Sequence, residues 1–413
     1  MVRLTERPPD SVLDSMTLRH IGYSIVTLAV LFTSSMPLSA EASFRGDAAG
    51  WIPYWASDVD VKTVIDNVGE LDILYLFVYE VDAGGRLERK ADLEDGAWED
   101  LIDEARDEDV LIIPTVAWFN GAAIHKILSN DDSREDLIED IEDMVDDGNF
   151  DGVNVDFEQK YAETIDYFSE FLKELEDELG RDYLSCAIEA RTPPKDLYRT
   201  GEMPALIEYA NDYKAMNRYC DWVEIMAYDQ MRADITLNNE RRGVPYNPVA
   251  DNDWVEKVIE LALEDIDKDK IMLGIPTYGR AYDVTVAPNW YRDYTPVASV
   301  NYDRIVELTD KYDVQIGRTA GGEGFISYFP EDSVYAIFNQ LPTPAGTPRG
   351  FEAAAKALLV ANVAGIEIPV RIITFGDAVA AEDKFDLIEQ YDLKGAAFFS
   401  FNGREDQDIW DLL

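Results

Sequence analysis

Apolar residues recur along the chain with two different periods. Short runs that are apolar at every second position, or at nearly every position, predict buried strands, and longer runs with apolar residues three and four apart predict helices. The predicted strands are Gly50–Tyr54, Ile73–Tyr79, Val110–Ala117, Gly152–Phe157, Tyr183–Ala190, Trp222–Ala227, Ile271–Pro276 and Gly395–Phe401. Helix-like segments such as Ala162–Leu179 lie between them. This alternation predicts an α/β fold, a closed (β/α)8 TIM barrel.

The spacing of the predicted strands is broken once, between the seventh and the eighth. About 118 residues separate these two strands, far more than one crossover helix needs. We therefore predict an insertion at about 283–371, which contains short aromatic segments and an Ala-rich helix at Phe351–Val363. The sequence assigns no role to about 331–369.

The fourth predicted strand, within Asp151–Glu158, separates polar from apolar side chains. One face holds Val153, Val155 and Phe157, and the other holds Asn154, Asp156 and Glu158. Burying carboxyl groups without cationic partners is costly, so this strand indicates a function for them. An acidic surface strand is the alternative, but it does not explain the apolar face. Two neighbouring carboxyls suit proton transfer and stabilisation of a developing positive charge.

Charge limits the partners of this chain. The sequence has 83 Asp and Glu against 36 Lys and Arg, a net charge of −47 and a pI near 4.1. This balance disfavours nucleic acid and anionic membrane surfaces, because like charges repel. It is typical of proteins adapted to high salt, and nothing indicates an obligatory protein partner.

Histidine and metal-binding patterns are scarce. The chain has two histidines, of which His20 lies in the N-terminal segment and His125 is predicted on a helix surface. A Ser-His-Asp hydrolase or an H-E-x-x-H metalloprotease would need more than this. No calcium-loop spacing appears among the acidic residues either. We predict no cofactor and no metal site.

The N-terminal segment predicts export. Ile21–Phe32 is largely apolar, Arg19 precedes it, and Ala40–Ala42 fits a cleavage site of small residues. We therefore predict an export segment at 1–42 and a secreted catalytic chain at 43–413; an uncleaved cell-envelope anchor is the alternative. The two cysteines, Cys186 and Cys220, fall on neighbouring predicted strands. We expect two buried thiols, and a bond between them is the alternative.

Four ordered motifs resemble glycoside hydrolase family 18, the chitinase-like enzymes. The pattern D-x-x-[D/N]-x-D-x-E in Asp151–Glu158 is similar to the signature of that family, and later segments resemble its sixth, seventh and eighth strands: Trp222–Asp229, Ile271–Arg280 and Gly395–Phe401. Pro193–Lys195 and Asn211–Tyr213 resemble the spore-germination, peptidoglycan-acting branch. The resemblance implies that the predicted insertion is a small α+β unit forming one wall of a substrate groove.

The resemblance also implies a mechanism in which the substrate supplies the nucleophile. The 2-acetamido oxygen of the sugar would attack C1, and Glu158 would protonate the leaving oxygen and later activate water. Asp156 would orient the acetamide N–H, and Tyr228 would hydrogen-bond the acetamide oxygen. Asn154 would support Asp156, although it stands where many chitinases have Asp and cannot ionise.

Residues at the predicted strand ends are candidates for sugar binding, and plain core packing is the alternative for each aromatic one. These candidates are Trp51, Tyr54, Trp118, Asp229, Tyr278, Arg280 and Phe399. Phe399 stands where most family members have a stacking Trp. The resemblance thus predicts a secreted retaining glycoside hydrolase acting on a β-1,4-linked N-acetylglucosamine polysaccharide, either chitin or peptidoglycan. A catalytically silent, lectin-like protein on the same fold is the alternative.

Overall fold

The computed structural model describes residues 44–413, so the predicted export segment lies outside the described residues. The strands in the described part are β1 (Asp47–Pro53), β2 (Ile73–Val81), β3 (Leu87–Arg89), β4 (Leu111–Trp118), β5 (Gly152–Phe157), β6 (Tyr183–Glu189), β7 (Trp222–Met226), β8 (Ile271–Pro276), β9 (Tyr278–Ala287), β10 (Trp290–Asn301), β11 (Gly317–Arg318), β12 (Gly324–Tyr328), β13 (Ile368–Phe375) and β14 (Gly395–Phe399).

The α-helices between these strands cover most of the remaining chain. They are α1 (Asp58–Ile65), α2 (Ala97–Asp107), α3 (Gly121–Leu128), α4 (Asp131–Gly148), α5 (Ile165–Leu179), α6 (Pro194–Leu197), α7 (Tyr213–Tyr219), α8 (Ile235–Glu240), α9 (Asn252–Ala262), α10 (Tyr302–Tyr312), α11 (Glu352–Ala364) and α12 (Ala378–Tyr391). Within the described residues, none of these helices is both long enough and apolar enough to cross a membrane.

Eight strands form a closed parallel barrel. Their order around the barrel is β1, β2, β4, β5, β6, β7, β8 and β14, and β14 pairs with β1 to close the ring. The short strand β3 extends the end of β2 as an antiparallel hairpin. All eight predicted strands are present, and the predicted (β/α)8 TIM barrel is confirmed.

The two faces of β5 meet different surroundings. On the outer face Phe157 stacks on Phe171 of α5, with 5.3 Å between the ring centroids. Burying a side chain of this size stabilises the fold by roughly 1.5–3 kcal/mol. On the inner face Asn154 and Asp156 point into the barrel, where Asn154 bonds to residues of the neighbouring strands. The alternation in the sequence therefore places both polar side chains inside the barrel wall.

A second sheet is inserted between β8 and β14. It is antiparallel, with the order β10-β9-β13-β12-β11. It starts at Tyr278, one residue after β8, and ends at Phe375, so it extends beyond the predicted 283–371 at both ends. Gly279 lies in close contact with β13, since a Cβ there would come within 2.6 Å of the Phe375 side chain. Only Thr277 separates β8 from β9, so no loop in the sequence marks the start of the inserted sheet.

The stretch 331–369, which had no assigned role, covers one face of this second sheet. Its helix α11 buries Ala354, Ala357 and Ala361 against the sheet, where small side chains permit close approach. Phe351, just before the helix, stacks on Phe325 of β12 with 4.0 Å between ring centroids. The segment therefore completes a second hydrophobic core.

The cysteine prediction was wrong. Cys186 on β6 and Cys220, just before β7, form a disulfide, with their Cα atoms 6.1 Å apart. This separation lies within the range of about 4.4–6.8 Å that a disulfide requires. The two positions were correctly expected to be neighbours, but the sequence did not show that both sulfurs share one side of the sheet.

Candidate active site

The carboxyl ends of the barrel strands surround a pocket of about 560 Å³. Most of the predicted site residues line this pocket: Trp51, Tyr54, Asp156, Glu158, Tyr228, Asp229, Tyr278, Arg280 and Phe399. They come from five strands or the segments that follow them, so residues distant in sequence meet at the face where this fold places its reactive groups. Asn154 lies below the pocket, and Trp118 lies outside it.

Asp156 and Glu158 occupy the end of β5. Asp156 is 4% exposed, and its Oδ1 atom is buried without a hydrogen-bond partner in the described residues. The Glu158 backbone N–H donates to the Trp118 carbonyl at 2.8 Å, which fixes the chain just beyond the strand. Burial raises the pKa of Glu158 to about 7, and the negative charge of Glu189 adds to this rise. Glu158 therefore holds a proton in a large fraction of molecules near neutral pH, as a general acid must.

Burial also raises the pKa of Asp156 well above its usual range, and repulsion from Glu158 contributes. The positive charge of Lys160 acts against this rise: Lys160 is 8% exposed, and its ammonium group donates to the Phe157 carbonyl. Burial lowers the pKa of Lys160, while Glu189, Asp156 and Glu158 counteract this. The carboxyls outnumber this cation, so the cluster favours keeping a proton among its acidic groups.

Glu189 is a further carboxyl in the pocket, and the sequence prediction missed it. It ends β6, one strand along from Glu158. Its Oε1 atom accepts a hydrogen bond from the Gln159 backbone N–H at 3.1 Å, and its Oε2 atom accepts one from Asn211 at 3.0 Å. These bonds fix the carboxylate beside the proposed acid. An acidic residue that ends an otherwise buried strand was the signal available in the sequence.

Asn154 was expected to support Asp156, but its hydrogen bonds among the described residues go to other partners. Its amide nitrogen donates to Ser185 Oγ at 2.7 Å and to Glu224 Oε2 at 3.0 Å, and its Oδ1 accepts from Thr115 Oγ1 at 3.0 Å. Both of its N–H donors and one acceptor site of its oxygen are thereby used below the pocket. Asn154 organises the barrel floor and leaves Asp156 free to bond elsewhere.

Glu224 is the ionisable group of that floor. It is completely buried, and Tyr75 donates a hydrogen bond to its Oε1 atom. The Tyr75 hydroxyl in turn accepts from Trp222 Nε1 at 2.7 Å. Burial raises the pKa of Glu224 to about 7, although these hydrogen bonds lower it in part. A carboxyl group therefore lies one layer beneath Asp156, in a barrel where Asn154 itself cannot ionise.

Phe399 is at the centre of the aromatic wall. Its ring is 5.9 Å from Tyr228 in a stacked arrangement and 6.4 Å from Tyr278 in an edge-on one. Trp51 and Phe77 also meet it edge-on, each at 6.0 Å. Burial raises the pKa of Tyr228 well above its usual value, so the phenol stays protonated and can donate a hydrogen bond. The wall combines flat apolar faces with the hydroxyl donor of Tyr228.

Two polar pairs border the pocket. Arg280 donates two hydrogen bonds to Asp229, at 2.8 and 2.6 Å, a geometry that fixes both side chains. On the opposite wall the Tyr54 hydroxyl donates to Glu80 Oε1 at 3.1 Å. Within residues 44–413 no group of His, Cys, Asp and Glu side chains has an arrangement that could hold a metal ion.

Trp118 is not placed to contact a sugar. Its side chain is 2% exposed in the outer core and meets Phe157 edge-on at 5.3 Å. Thr115 and Ala117 point to the inside of the barrel, and side chains alternate along a strand, so Phe119 also points inward. It is 39% exposed and lines the pocket. The same alternation that located the carboxyls would have selected Phe119. Trp55 also lines the pocket and was missed.

The sequence profile of "Glycosyl hydrolases family 18" matches residues 115–403, which contain every one of the carboxyls at the end of β5 and β6. The chain belongs to family 18 of the glycosyl hydrolases. This match confirms the predicted family and the prediction of a glycoside hydrolase. The matched residues also include the whole second sheet, so the inserted unit lies within the family's extent.

Similar proteins include bacterial spore enzymes and chitinases. "Putative sporulation-specific glycosylase YdhD" of Bacillus subtilis (strain 168) is 27% identical over 267 residues, 64% of this chain. The crystal structure of the spore cortex-lytic enzyme SleL of Bacillus megaterium QM B1551 has 21% identity and a TM-score of 0.64, covering 90% of this chain and 73% of that one. A class V chitinase of Pseudomonas fluorescens Pf-5 has 18% identity and a TM-score of 0.66, covering 89% and 98%.

The two structures show a shared fold at these identities. The chain spans 58% of the length of YdhD and 44% of the length of "Uncharacterized glycosylase YvbX", also from Bacillus subtilis (strain 168). The similarity to YdhD and SleL confirms the predicted resemblance to the spore-germination branch of family 18.

Proposed function

We propose that this chain is a retaining glycoside hydrolase that cleaves β-1,4-linked N-acetylglucosamine glycans with help from the substrate's own acetamide group. The observation that carries the proposal is the convergence of Glu158, Asp156 and Tyr228 on one pocket with aromatic walls. A protonated carboxyl, a buried carboxyl with an unsatisfied oxygen and a neutral phenol are the groups that this reaction needs. None of its steps requires a metal or a cofactor.

In the first step Glu158 donates its proton to the glycosidic oxygen, and the bond from that oxygen to C1 breaks. The acetamide oxygen of the same sugar attacks C1 from the opposite face and forms a cyclic oxazolinium ion. Asp156 Oδ1, which has no hydrogen-bond partner within residues 44–413, accepts a hydrogen bond from the acetamide N–H. Tyr228 donates to the acetamide oxygen, and both contacts fix a near-attack geometry.

In the second step Glu158, now a carboxylate, removes a proton from water as the water attacks C1. The ring of the oxazolinium ion opens, and the acetamide is restored. Each step inverts C1, so the product keeps the β configuration. The raised pKa of Glu158 suits both tasks, because its value of about 7 lies close to a neutral working pH.

Replacing Glu158 with Gln tests the assignment directly. The change keeps shape and removes the titratable proton, so turnover of a chito-oligosaccharide carrying a fluorophore should fall by at least about 10²-fold. Glu163→Gln is a matched control, since Glu163 is an exposed carboxyl in the next turn of the chain. Near-normal turnover by a folded Glu158→Gln protein would overturn the proposal. Binding without turnover by the wild type would instead support the lectin-like alternative.

We also propose that the protein is exported. The disulfide between Cys186 and Cys220 supports this, because such bonds persist mainly in oxidising compartments. Cell fractionation with an antibody against the folded chain tests the proposal, and recovery of the whole pool from the reducing cytosol would overturn it.

The similarity to SleL and YdhD supports peptidoglycan as the polysaccharide, and the similarity to chitinases supports chitin.

A further inference from the structure

A cleft beside the active-site pocket has the opposite charge to the rest of the protein. It has a volume of about 660 Å³ and is lined by four arginines: Arg199, Arg232, Arg242 and Arg292. One carboxylate, Asp293, is among its lining residues. The chain as a whole carries a net charge of −47. A local excess of positive charge is unusual in such an acidic protein, so we asked which groups neutralise it.

Most of this positive charge has no carboxylate partner. Arg292 is paired, with Asp293 at 2.6 Å and Glu367 at 3.4 Å. For Arg199, Arg232 and Arg242 no Asp or Glu oxygen lies within 4.0 Å among the described residues. In a chain with 83 acidic residues, three such arginines in one cleft leave it strongly cationic.

Aromatic rings hold two of these guanidinium groups in place. Arg232 lies over the Tyr294 ring, with 4.9 Å from its Cζ to the centroid, and Arg242 lies over the Trp290 ring at 5.1 Å. Trp290 is 44% exposed, so one flat apolar surface faces solvent beside the charge. Charged donors next to exposed ring faces are the combination that binds an acidic sugar, since rings contact the sugar and guanidinium groups bind its carboxylate.

The cleft shares a wall with the active-site pocket. Gln230 lines the pocket, and its amide donates to the hydroxyl of Tyr246, which lines the cleft, at 3.2 Å. The Tyr246 backbone N–H donates to the Tyr294 hydroxyl at 2.9 Å, joining this wall to β10. Arg232 follows Gln230 by two residues. A glycan that extends from the pocket over this wall therefore reaches the arginines.

Carboxyl groups outnumber cations in the pocket itself. Asp156, Glu158, Glu189, Asp229 and Glu80 line it, and Arg280, the cation among its lining residues, is already paired with Asp229, so these residues offer no unpaired cation to a substrate carboxylate. The arginine cleft is the neighbouring surface of opposite charge. Acidic groups away from the cleaved bond would thus bind in the cleft rather than in the pocket.

We infer that this cleft is a distal subsite for carboxylates carried by the glycan. The inference rests on the proposed function and names its substrate class: an N-acetylglucosamine glycan with acidic substituents, as in peptidoglycan, rather than neutral chitin. The carboxylates can come from the lactyl ether of the sugar or from attached peptides, and both present the same group to a guanidinium. An ionised carboxylate held by two guanidinium groups forms charge-assisted hydrogen bonds, which are the strong kind.

The test compares kcat/KM for three soluble glycans of equal length. These are a neutral N-acetylglucosamine oligomer, a peptidoglycan strand with its peptides, and the same strand after the peptides are removed. For the wild type we expect a preference for at least one acidic strand over the neutral oligomer. In Arg232→Gln/Arg242→Gln the ratio of acidic to neutral kcat/KM should fall roughly 3-fold to 20-fold, from two exposed charge contacts.

Arg181→Gln is the matched control, because Arg181 is exposed and lies just before β6, at the opposite end of the barrel. Its ratio should equal that of the wild type. The lactyl carboxyl is capped by the amide bond to the peptide, so it is free only in the peptide-free strand. A fall for the peptide-bearing strand alone would therefore identify peptide carboxylates, a fall for the peptide-free strand alone would identify the lactyl carboxylate, and a fall for both would show that the cleft accepts either source. Raising NaCl should also reduce the wild-type preference, since salt screens exposed charges.

Equilibrium binding separates this inference from the proposed function. Titration calorimetry with the acidic strands needs no turnover, so weaker binding by the double variant would support the cleft even if no glycan were cleaved. An unchanged kcat/KM ratio and unchanged binding in the folded double variant, verified by circular dichroism, would overturn the inference while leaving catalysis by Glu158 intact. Equal wild-type affinity for neutral and acidic strands would overturn it as well.

Discussion

Replacing Asn154 with Asp tests the description of the barrel floor. Asn154 is completely buried and donates to both Ser185 and Glu224, at 2.7 and 3.0 Å. An introduced carboxyl can donate at most one hydrogen bond, and only when it is protonated. We therefore expect the variant to be less stable at every pH, and progressively so as the pH rises.

Two terms set the magnitude. Losing one buried hydrogen bond lowers the free energy of unfolding by about 1–3 kcal/mol. Two ionised carboxylates about 4 Å apart repel by about 4 kcal/mol at an effective dielectric constant of 20. The pair avoids this repulsion by retaining a proton, so the folded-state pKa of the introduced carboxyl rises above its unfolded value. The added penalty is smallest below about pH 4 and grows through the folded-state pKa by up to about 1.4 kcal/mol per pH unit.

Denaturant unfolding from pH 4 to pH 8 at one fixed salt concentration measures this penalty. Asn154→Leu is the control, because Leu has a similar shape, also removes the amide and cannot ionise. The difference between the two variants should widen with pH, since burial and the nearby Glu224, whose own pKa is about 7, oppose ionisation. An Asn154→Asp protein as stable as the wild type at pH 8 would refute the described contacts.

Three further expectations concern the pocket and the disulfide. Glu189→Gln removes a charge that raises the pKa of Glu158, so the alkaline limb of kcat/KM should move to lower pH; a pH–rate profile shows whether it does. Separate Cys186→Ser and Cys220→Ser variants should each lose about 3–4 kcal/mol of stability in denaturant titrations, and mapping of the intact protein without reductant should recover one linked peptide pair. Phe119→Ala should raise KM for a long oligosaccharide several-fold while leaving the melting temperature nearly unchanged. An unchanged KM would show that Phe119 does not contact the substrate.

The alternation of apolar and polar residues was enough to locate the barrel and its acidic strand. It works for β5 because Val153, Val155 and Phe157 must all face the helices, and a shift of one residue would bury Asp156 and Glu158 among them. The same rule applied to β4 would have selected Phe119 instead of Trp118. Trp118 faces the outer core and Phe119 faces the pocket, so the direction of the side chain decides between them.

Contacts between distant strands were not available from the sequence. Glu224 reads as one acidic residue within a strand, and only closure of the barrel brings it against Asn154 and Tyr75. The disulfide likewise depends on the register between β6 and β7, which pairs Cys186 with Val223 and leaves Cys220 just before the strand. No local pattern reports such a register.

The arginine cleft shows the same limit at the surface. Arg199 and Arg232 lie in loops of the barrel, whereas Trp290 belongs to the inserted sheet. These residues are far apart in the sequence, with many acidic residues between them. Neither the local sequence nor the net charge of −47 therefore indicates a cationic cleft. The fold gathers these arginines next to the pocket.

Cleavage of a defined, partly deacetylated oligomer is the most direct test of the central claim, that Asp156 and Tyr228 act through an acetamide of the substrate. NMR of the earliest products reports both the sugar before the cleaved bond and the configuration at its C1. The account predicts cleavage only after N-acetylglucosamine, with the β anomer formed first. Efficient cleavage after glucosamine, or an initial α anomer, would show that a protein carboxylate or a water molecule attacks C1, and would contradict it.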